Sequence, residues 1–173
     1  YISNESSGKQ GYEIAEALNR LGIETTLVTG PTNLASNKDI KTKKIITATE
    51  MFETVKKSLP VDIAVCAAAV TDFKPVYKSK SKLKKDNLRL KSFELQKNID
   101  ILEFLGKNNK HRPKIVIGFA AETENLDKNA LSKLKQKNCD IIIANDVSKK
   151  DSGFNSDYNL SLIHISEPTR RAI

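Results

Sequence analysis

Three short apolar runs recur along this lysine-rich chain, and each is preceded by a segment with helical spacing. They are Asp62–Val70, opening Ile63-Ala64-Val65-Cys66, then Lys114–Ala120 around Ile115-Val116-Ile117, and Asp140–Ala144 around Ile141-Ile142-Ile143. Apolar residues at successive rather than alternate positions suit strands buried on both faces of a parallel sheet. The intervening segments carry the other half of the pattern. Tyr12, Ile14, Ala15, Ala17, Leu18 and Leu21 share one helical face, with Gly22 as the stop. Met51, Phe52, Val55 and Leu59 do the same over Thr49–Leu59, where Pro60 ends the helix. Ile99–Gly106 and Leu126–Lys137 are the remaining helices, and Glu24–Thr29, Lys44–Ile46 and Leu88–Leu95 are lesser strands. Strands alternating with helices predict one α/β domain, a doubly wound, mostly parallel sheet with helices on both faces. No internal repeat, low-complexity tract or linker divides the chain.

At 173 residues such a domain buries about two-thirds of its unfolded surface. Both ends look cut. The chain opens on Tyr1-Ile2-Ser3-Asn4, and Ser161–Arg170 reads like the translation of a sequencing-library adapter. The expectation is a domain over residues 1–160, truncated at both ends, with 161–173 a non-native tail outside the fold. That tail holds only two arginines and one glutamate, so the net charge of +8 is largely intrinsic to the rest.

A positive surplus favours anionic partners such as nucleotides and phosphorylated metabolites, although a lysine-rich composition bias is the plainer reading. Aromatic residues are 6% of the chain, with no tryptophan and no basic stripe between them, which argues against nucleic acid. Cys66 and Cys139 lie in or beside apolar strands without metal or redox spacing, as reduced buried thiols in the cytoplasm do. No apolar run approaches the roughly 18 residues of a membrane span.

In an open parallel sheet, ligands bind beyond the carboxyl ends of the strands. Three strand tails, Ala69-Val70-Thr71-Asp72, Gly118-Phe119-Ala120-Ala121-Glu122-Thr123 and Ala144-Asn145-Asp146-Val147, therefore share one edge. They could bring Asp72, Phe119, Glu122, Asn145 and Asp146 into one site. Phe119 is equally readable as a core aromatic, and Glu122, Asn145 and Asp146 as helix caps. Asp72 leads into a basic segment of Lys74, Lys78, Lys80, Lys82, Lys84, Lys85, Arg89 and Lys91, opposed only by Asp86. A carboxylate followed by such a segment suits a phosphorylated ligand; a solvated loop after a core strand is the bland alternative. Ser6-Ser7-Gly8 starts a helix, where free N–H groups favour an anion. Neither G-x-G-x-x-G nor a P-loop is present. His111 is the one histidine outside the tail, which disfavours Ser/His or Cys/His catalysis.

Taken together, Ile2-Ser3-Asn4-Glu5-Ser6-Ser7-Gly8-Lys9, Ala67-Ala68-Ala69-Val70-Thr71-Asp72-Phe73, Lys82-Leu83-Lys84-Lys85, Gly118–Thr123, Ala144–Val147 and Gly153-Phe154-Asn155-Ser156-Asp157 resemble bacterial phosphopantothenate–cysteine ligase. That family is the synthetase half of a bifunctional coenzyme A biosynthesis protein, and the resemblance covers residues 1 to about 160 in the family's order. It implies a Rossmann-like fold and a two-step reaction. The carboxylate of 4′-phosphopantothenate attacks CTP to give an acyl-cytidylate and pyrophosphate; the amine of cysteine then displaces CMP.

By the same likeness Asn4 holds the acyl-cytidylate, and Ser6, Ser7 and Gly8 bind substrate. Asp72 contacts the nucleotide, and Lys82, in a flap, reaches the phosphates. Cys66, Ala67, Ala68, Phe119, Lys133 and Lys137 line the CTP pocket, with Asn98, Ile99, Asp100 and Ile101 beside it. Mg²⁺ accompanies the triphosphate, through ligands the sequence does not identify. FMN belongs to a decarboxylase domain absent from this chain, and the family suggests a cytoplasmic homodimer or larger assembly. Two departures stand out: Ile99 replaces a family proline, and the family's first strand and Gly-Pro-Thr loop do not precede Tyr1. An NAD(P)-dependent reductase and a non-catalytic nucleotide-binding module are the rival readings.

Overall fold

The computed structural model of the protein describes residues 4, 6–77, 94–108, 110–146 and 161–166. Their elements run α1 (Lys9–Arg20), β1 (Thr26–Thr29), β2 (Lys41–Lys44), α2 (Ala48–Ser58), β3 (Ile63–Cys66), β4 (Phe73–Pro75), β5 (Leu95–Lys97), α3 (Ile101–Lys107), β6 (Ile115–Glu122), α4 (Leu126–Lys137), β7 (Ile141–Asp146) and β8 (Ser161–Ile165). The class is the expected one, mixed α/β with mostly parallel strands. Among the described residues the strands form a parallel β1–β2 pair, a sheet ordered β3-β6-β7-β8, and an antiparallel β4–β5 ribbon.

Strand β6 organises the larger sheet. It pairs in parallel with β3 on one side, Cys66 opposite Gly118, and with β7 on the other, Glu122 opposite Asp146. Side chains of a strand alternate between faces, and here Val116, Gly118 and Ala120 are buried under α3 and α4. Val116, Ile142, Ala130 and Ala144 are sealed completely, and Leu105 of α3 nearly so. Phe52 of α2 joins this core edge-to-face with Phe104, ring centres 4.9 Å apart.

Local chemistry explains the element ends. Gly22, at φ +75°, closes α1: its N–H donates to Asn19 C=O, and Ile23 N–H to Leu18 C=O. Thr47 and Glu50 form a reciprocal capping box at the start of α2. Arg112 locks the α3–β6 turn, with its guanidinium bonded to Gly106 C=O, Pro113 C=O, Asn138 C=O and the Asp140 carboxylate.

Several expectations need correcting. Strands β6 and β7 are fully buried on one face only and β3 has no fully buried residue, with Ile63 and Ile115 41% and 38% exposed. The reason is that α3 and α4 both pack on the Val116 face. The strand expected at Lys44–Ile46 is Lys41–Lys44; backbone pairing with β1 selects this polar run, and Ile46 is exposed. Strand β3 stops at Cys66, because Val70 N–H turns back onto Ala68 C=O. Of the strand expected at Leu88–Leu95, residues 78–93 lie outside the described part, and the ribbon strand starts at Leu95. The segment set aside as a tail is not wholly outside the fold. Ser161–Ile165 pairs antiparallel with β7, which offers an open strand edge to this extended run.

Two glycines set the depth of α3. A methyl group on Gly118 would lie 2.5 Å from Leu102 Cδ2, and one on Gly106 would lie 2.0 Å from Lys137 C=O. The second obstacle is backbone and cannot rotate aside. Gly106→Ala should therefore cost at least the 1–3 kcal/mol, roughly, of an overpacked core, read as a lowered midpoint in urea. An unchanged midpoint would show that α3 has room to shift.

Candidate functional site at the carboxyl edge of the sheet

Among the described residues the β1–β2 pair and the β3-β6-β7-β8 sheet are not hydrogen-bonded to one another, and β1 and β3 both line the gap between them. In doubly wound folds ligands bind in crevices outside the carboxyl ends of the strands. Here a cleft of about 1970 Å³ opens between the facing edges of β1 and β3. It runs from Ile23 and Pro60 at one end to Thr32 and Asp72 at the other.

Most of the residues singled out in the sequence converge on it. From the N-terminal side come Asn4, Ser6, Ser7 and Gly8. The Asn4 side-chain N–H donates to Val70 C=O at 3.4 Å, holding the segment against the end of β3. Ser6 and Ser7 accept from the N–H groups of Gly8 and Lys9, so Gly8 enters α1 at φ +77°. A Cβ there would press on Thr32 at 3.1 Å, so glycine is what lets this turn lie against the β1 loop. From β3 and its tail come Cys66, Ala67, Ala68 and Asp72, and from β6 Phe119.

The fourth wall is Asn98, Ile99, Asp100 and Ile101. Asn98 fixes it: the backbone N–H donates to Asp72 C=O at 2.7 Å and the side-chain N–H to Thr71 C=O at 2.8 Å. These bonds tie the strand end carrying Asp72 to the start of α3. They also hold the backbone beside Ile99, where the resemblance implies a proline. Asp100 caps α3 by accepting from Glu103 N–H.

Lys133 and Lys137, one helical turn apart on α4, complete the lining with Gln136. Each ammonium is tethered to carboxylates. Lys137 lies 2.8 Å from Asp100 Oδ2 and 3.2 Å from Glu103 Oε2. The Asp100 bond chiefly raises its pKa, so the cation persists above neutral pH. Lys133 lies 2.9 Å from Glu122 Oε1. Glu122 and Asp146, grouped with Asp72 in the sequence reading, do not line the cleft; Asn145 does. Lys82 and the basic segment from Lys78 to Lys91 lie outside the described residues, while Lys74 sits in β4 and donates to Thr49 Oγ1.

Sequence reasoning missed two parts of the wall. Gly30-Pro31-Thr32 is one, and its signal is its place directly after the carboxyl end of β1. Tyr12, which the sequence places only on the apolar face of α1, also lines the cleft, and bonding to Thr32 lowers its pKa. The carboxylate tethers left no signal, because no spacing links Glu122 to Lys133.

A sequence profile for the DNA/pantothenate metabolism flavoprotein C-terminal domain matches residues 1–172. The chain belongs to this family. Among curated relatives, the coenzyme A biosynthesis bifunctional protein CoaBC of Haemophilus influenzae is 42% identical over 160 residues, 92% of this chain and 39% of that protein. The CoaBC of Borreliella burgdorferi is 41% identical over 169 residues, 96% of this chain and 43% of its own length. The chain thus spans about two-fifths of the curated relatives it matches. Of solved structures, the C-terminal domain of a CoaBC superposes with a TM-score of 0.72 at 36% identity, over 93% of this chain and 76% of that one. The DNA/pantothenate metabolism flavoprotein of Streptococcus pneumoniae, 22% identical with a TM-score of 0.67 over 92% of this chain and 81% of that one, shares the fold.

Within this family member the thiols are not poised as nucleophiles. Burial pushes Cys66 up to about 12 and Cys139 to about 11. The folded state thus keeps protons that the unfolded chain releases above about pH 8.5. Stability should fall with rising pH from about 8.5 toward those values, by up to roughly 1.4 kcal/mol per pH unit for each thiol. Cys66→Ala should flatten that alkaline limb in urea titrations, and iodoacetamide should label wild-type Cys66 far more slowly than the unfolded chain. Rapid labelling of the folded protein at pH 8 would show an accessible thiolate.

Proposed function

We propose that this domain carries out the CTP-dependent ligation of 4′-phosphopantothenate to cysteine within coenzyme A biosynthesis. The observation that supports it best is the convergence of Asn4, Asp72, Asn98, Phe119, Lys133 and Lys137 on the one cleft lined by β1 and β3. Nothing in that set is a covalent nucleophile, and nucleotidyl transfer needs none. It needs in-line placement and compensation of developing charge.

In this reading the nucleotide lies along the tail of β3, with Asp72 accepting from ribose hydroxyls and Phe119 against the base. Lys133 and Lys137 face the phosphates, and Lys82 reaches them from its segment. The substrate carboxylate oxygen attacks the α-phosphorus of CTP as the bond to pyrophosphate breaks. The cysteine amine then attacks the acyl carbon, the bond to CMP breaks, and the amine proton is lost to solvent. Asn4 is the amide beside that acyl oxygen. Mg²⁺ would accompany the triphosphate, held chiefly by its phosphate oxygens and water. FMN belongs to a decarboxylase part outside these residues.

The test uses the full-length protein. CTP, 4′-phosphopantothenate and cysteine should yield equimolar pyrophosphate and CMP, and neither ATP nor NADPH should compete at matched concentration. Tight NADPH binding without CTP turnover would favour the reductase reading. Asn4→Asp should release pyrophosphate yet slow transfer to cysteine by about 10²–10³-fold, so acyl-cytidylate accumulates. Wild-type transfer by this variant would remove Asn4 from the mechanism.

The cleft is larger than a nucleotide requires, since ligand pockets are ordinarily about 300–1,000 Å³. Its inner part is walled by Leu18, Val28, Val55, Ile63 and Val65. Among the described residues, β1 and β3 each have a hydrogen-bonded neighbour on one side only. In this reading a parallel strand, from the part of the longer relatives that this chain does not span, occupies that inner slot. It would feed α1 by a right-handed crossover. Thr25 and Thr29 bond toward β2 and Asp62 toward β6, so the open-edge amides are those of Val28, Ile63 and Val65, and hydrogen exchange should show them better protected in the longer protein than in the 173-residue chain. Equal protection in both would leave the slot to solvent or ligand.

A further inference from the structure

The cleft cation Lys133 is held from outside the cleft by a residue to which neither the comparisons nor the resemblance gives a role. Glu122 is the last residue of β6, with a side chain only 15% exposed. Its two oxygens are both engaged from α4: Oε1 lies 2.9 Å from Lys133 Nζ, and Oε2 accepts from Asn129 Nδ2 at 2.9 Å. Asn129 is itself anchored, its Nδ2 also donating to Glu124 C=O at 3.0 Å. Asn129 and Lys133 are one helical turn apart, so a single carboxylate clips the cleft-facing side of α4 to the end of the central strand. A lysine on an exposed helix face loses much rotamer freedom when it must meet a ligand. Here that freedom is already restricted. The ammonium has three donors and Glu122 takes one, leaving two for an anion in the cleft.

We propose that Glu122, locked by Asn129, is a positioning residue that aims Lys133 at the phosphates of the nucleotide. This rests on the CTP reading above. The competing effect is repulsion: a carboxylate behind the lysine also opposes a polyphosphate, and if repulsion dominated, removing it would tighten binding. The two effects have opposite signs, so one substitution decides between them.

Glu122→Gln keeps the shape of the side chain and an oxygen for Asn129 but removes the charge that holds Lys133. In the full-length protein it should raise Kd and KM for CTP about three- to tenfold, within the range of coupled neighbours. KM for cysteine should stay unchanged. In a Lys133→Met background the same substitution should add less than about twofold, since a positioning residue has nothing left to aim. Glu122→Asp, which shortens the tether but keeps the charge, should fall between wild type and Glu122→Gln. Four results would overturn the proposal: unchanged CTP affinity, tighter CTP binding, an undiminished effect in the Lys133→Met background, or a parallel rise in KM for cysteine. A wild-type protein that binds no CTP would remove the nucleotide reading and this inference together. Wild-type binding with an indifferent Glu122→Gln would remove only the inference.

Discussion

The seating of α3 on β6 is the constraint from which the site follows. Leu102 rests on Gly118, and the helix passes so close to the end of α4 that Gly106 faces Lys137 C=O. Neither position has space for a methyl group. With α3 at that depth, Asn98 and Asp100 at its N-terminal end reach the tail of β3 and Lys137 respectively. The same approach lets Arg112 bond carbonyls of both α3 and the α4–β7 turn. Packing of apolar atoms in the core therefore fixes the relative positions of Asp72, Asp100 and Lys137, which come from three different segments.

A net charge of +8 suggests an electrostatic trap for anions, but the described part of the cleft is more selective than that. Lys133 and Lys137 face three nearby carboxylates, those of Glu122, Asp100 and Glu103. Coulomb attraction alone is weak where partly exposed opposite charges sit this close. What remains is direction: each ammonium has three donors, and its tethers leave at least one free to point elsewhere. Such a site discriminates by geometry, favouring an anion whose oxygens match fixed donors over any polyanion at random. The basic segment beyond Tyr77 would then supply attraction at longer range, and the tethered pair its register.

The fold was legible wherever pattern and physics coincide. Branched apolar runs gave β3, β6 and β7, and helical spacing gave α2 and α4 to within a residue or two, because burial enforces both periods. Strand β2 was misplaced because Lys41-Thr42-Lys43-Lys44 carries no apolar signal and is set by backbone pairing alone. Strand β8 lies in the segment that reads like a translated adapter, whereas edge pairing asks only for an extended run. At the site, the strand tails were readable from topology, which places Asp72, Phe119 and Asn145 on one edge. The clip from Glu122 to Lys133 and the tie from Asn98 to Thr71 were not, since both depend on side-chain reach between segments distant in sequence.

Residue 99, where the resemblance implies a proline, shows how such ties change the reading of a departure. A proline there would restrict the backbone of residue 98 as well as its own, biasing the chain toward the extended form that precedes a helix cap. Isoleucine supplies no such bias. In this protein the restriction comes instead from Asn98, which makes two hydrogen bonds under 3 Å to the Thr71–Asp72 backbone, and from Asp100, which caps α3. Ile99 itself stays about half exposed, with no buried role that its identity would disturb. The wall beside Asp72 is therefore anchored at both ends without the ring, and the loss of proline is absorbed by neighbours that hydrogen-bond the same stretch of backbone.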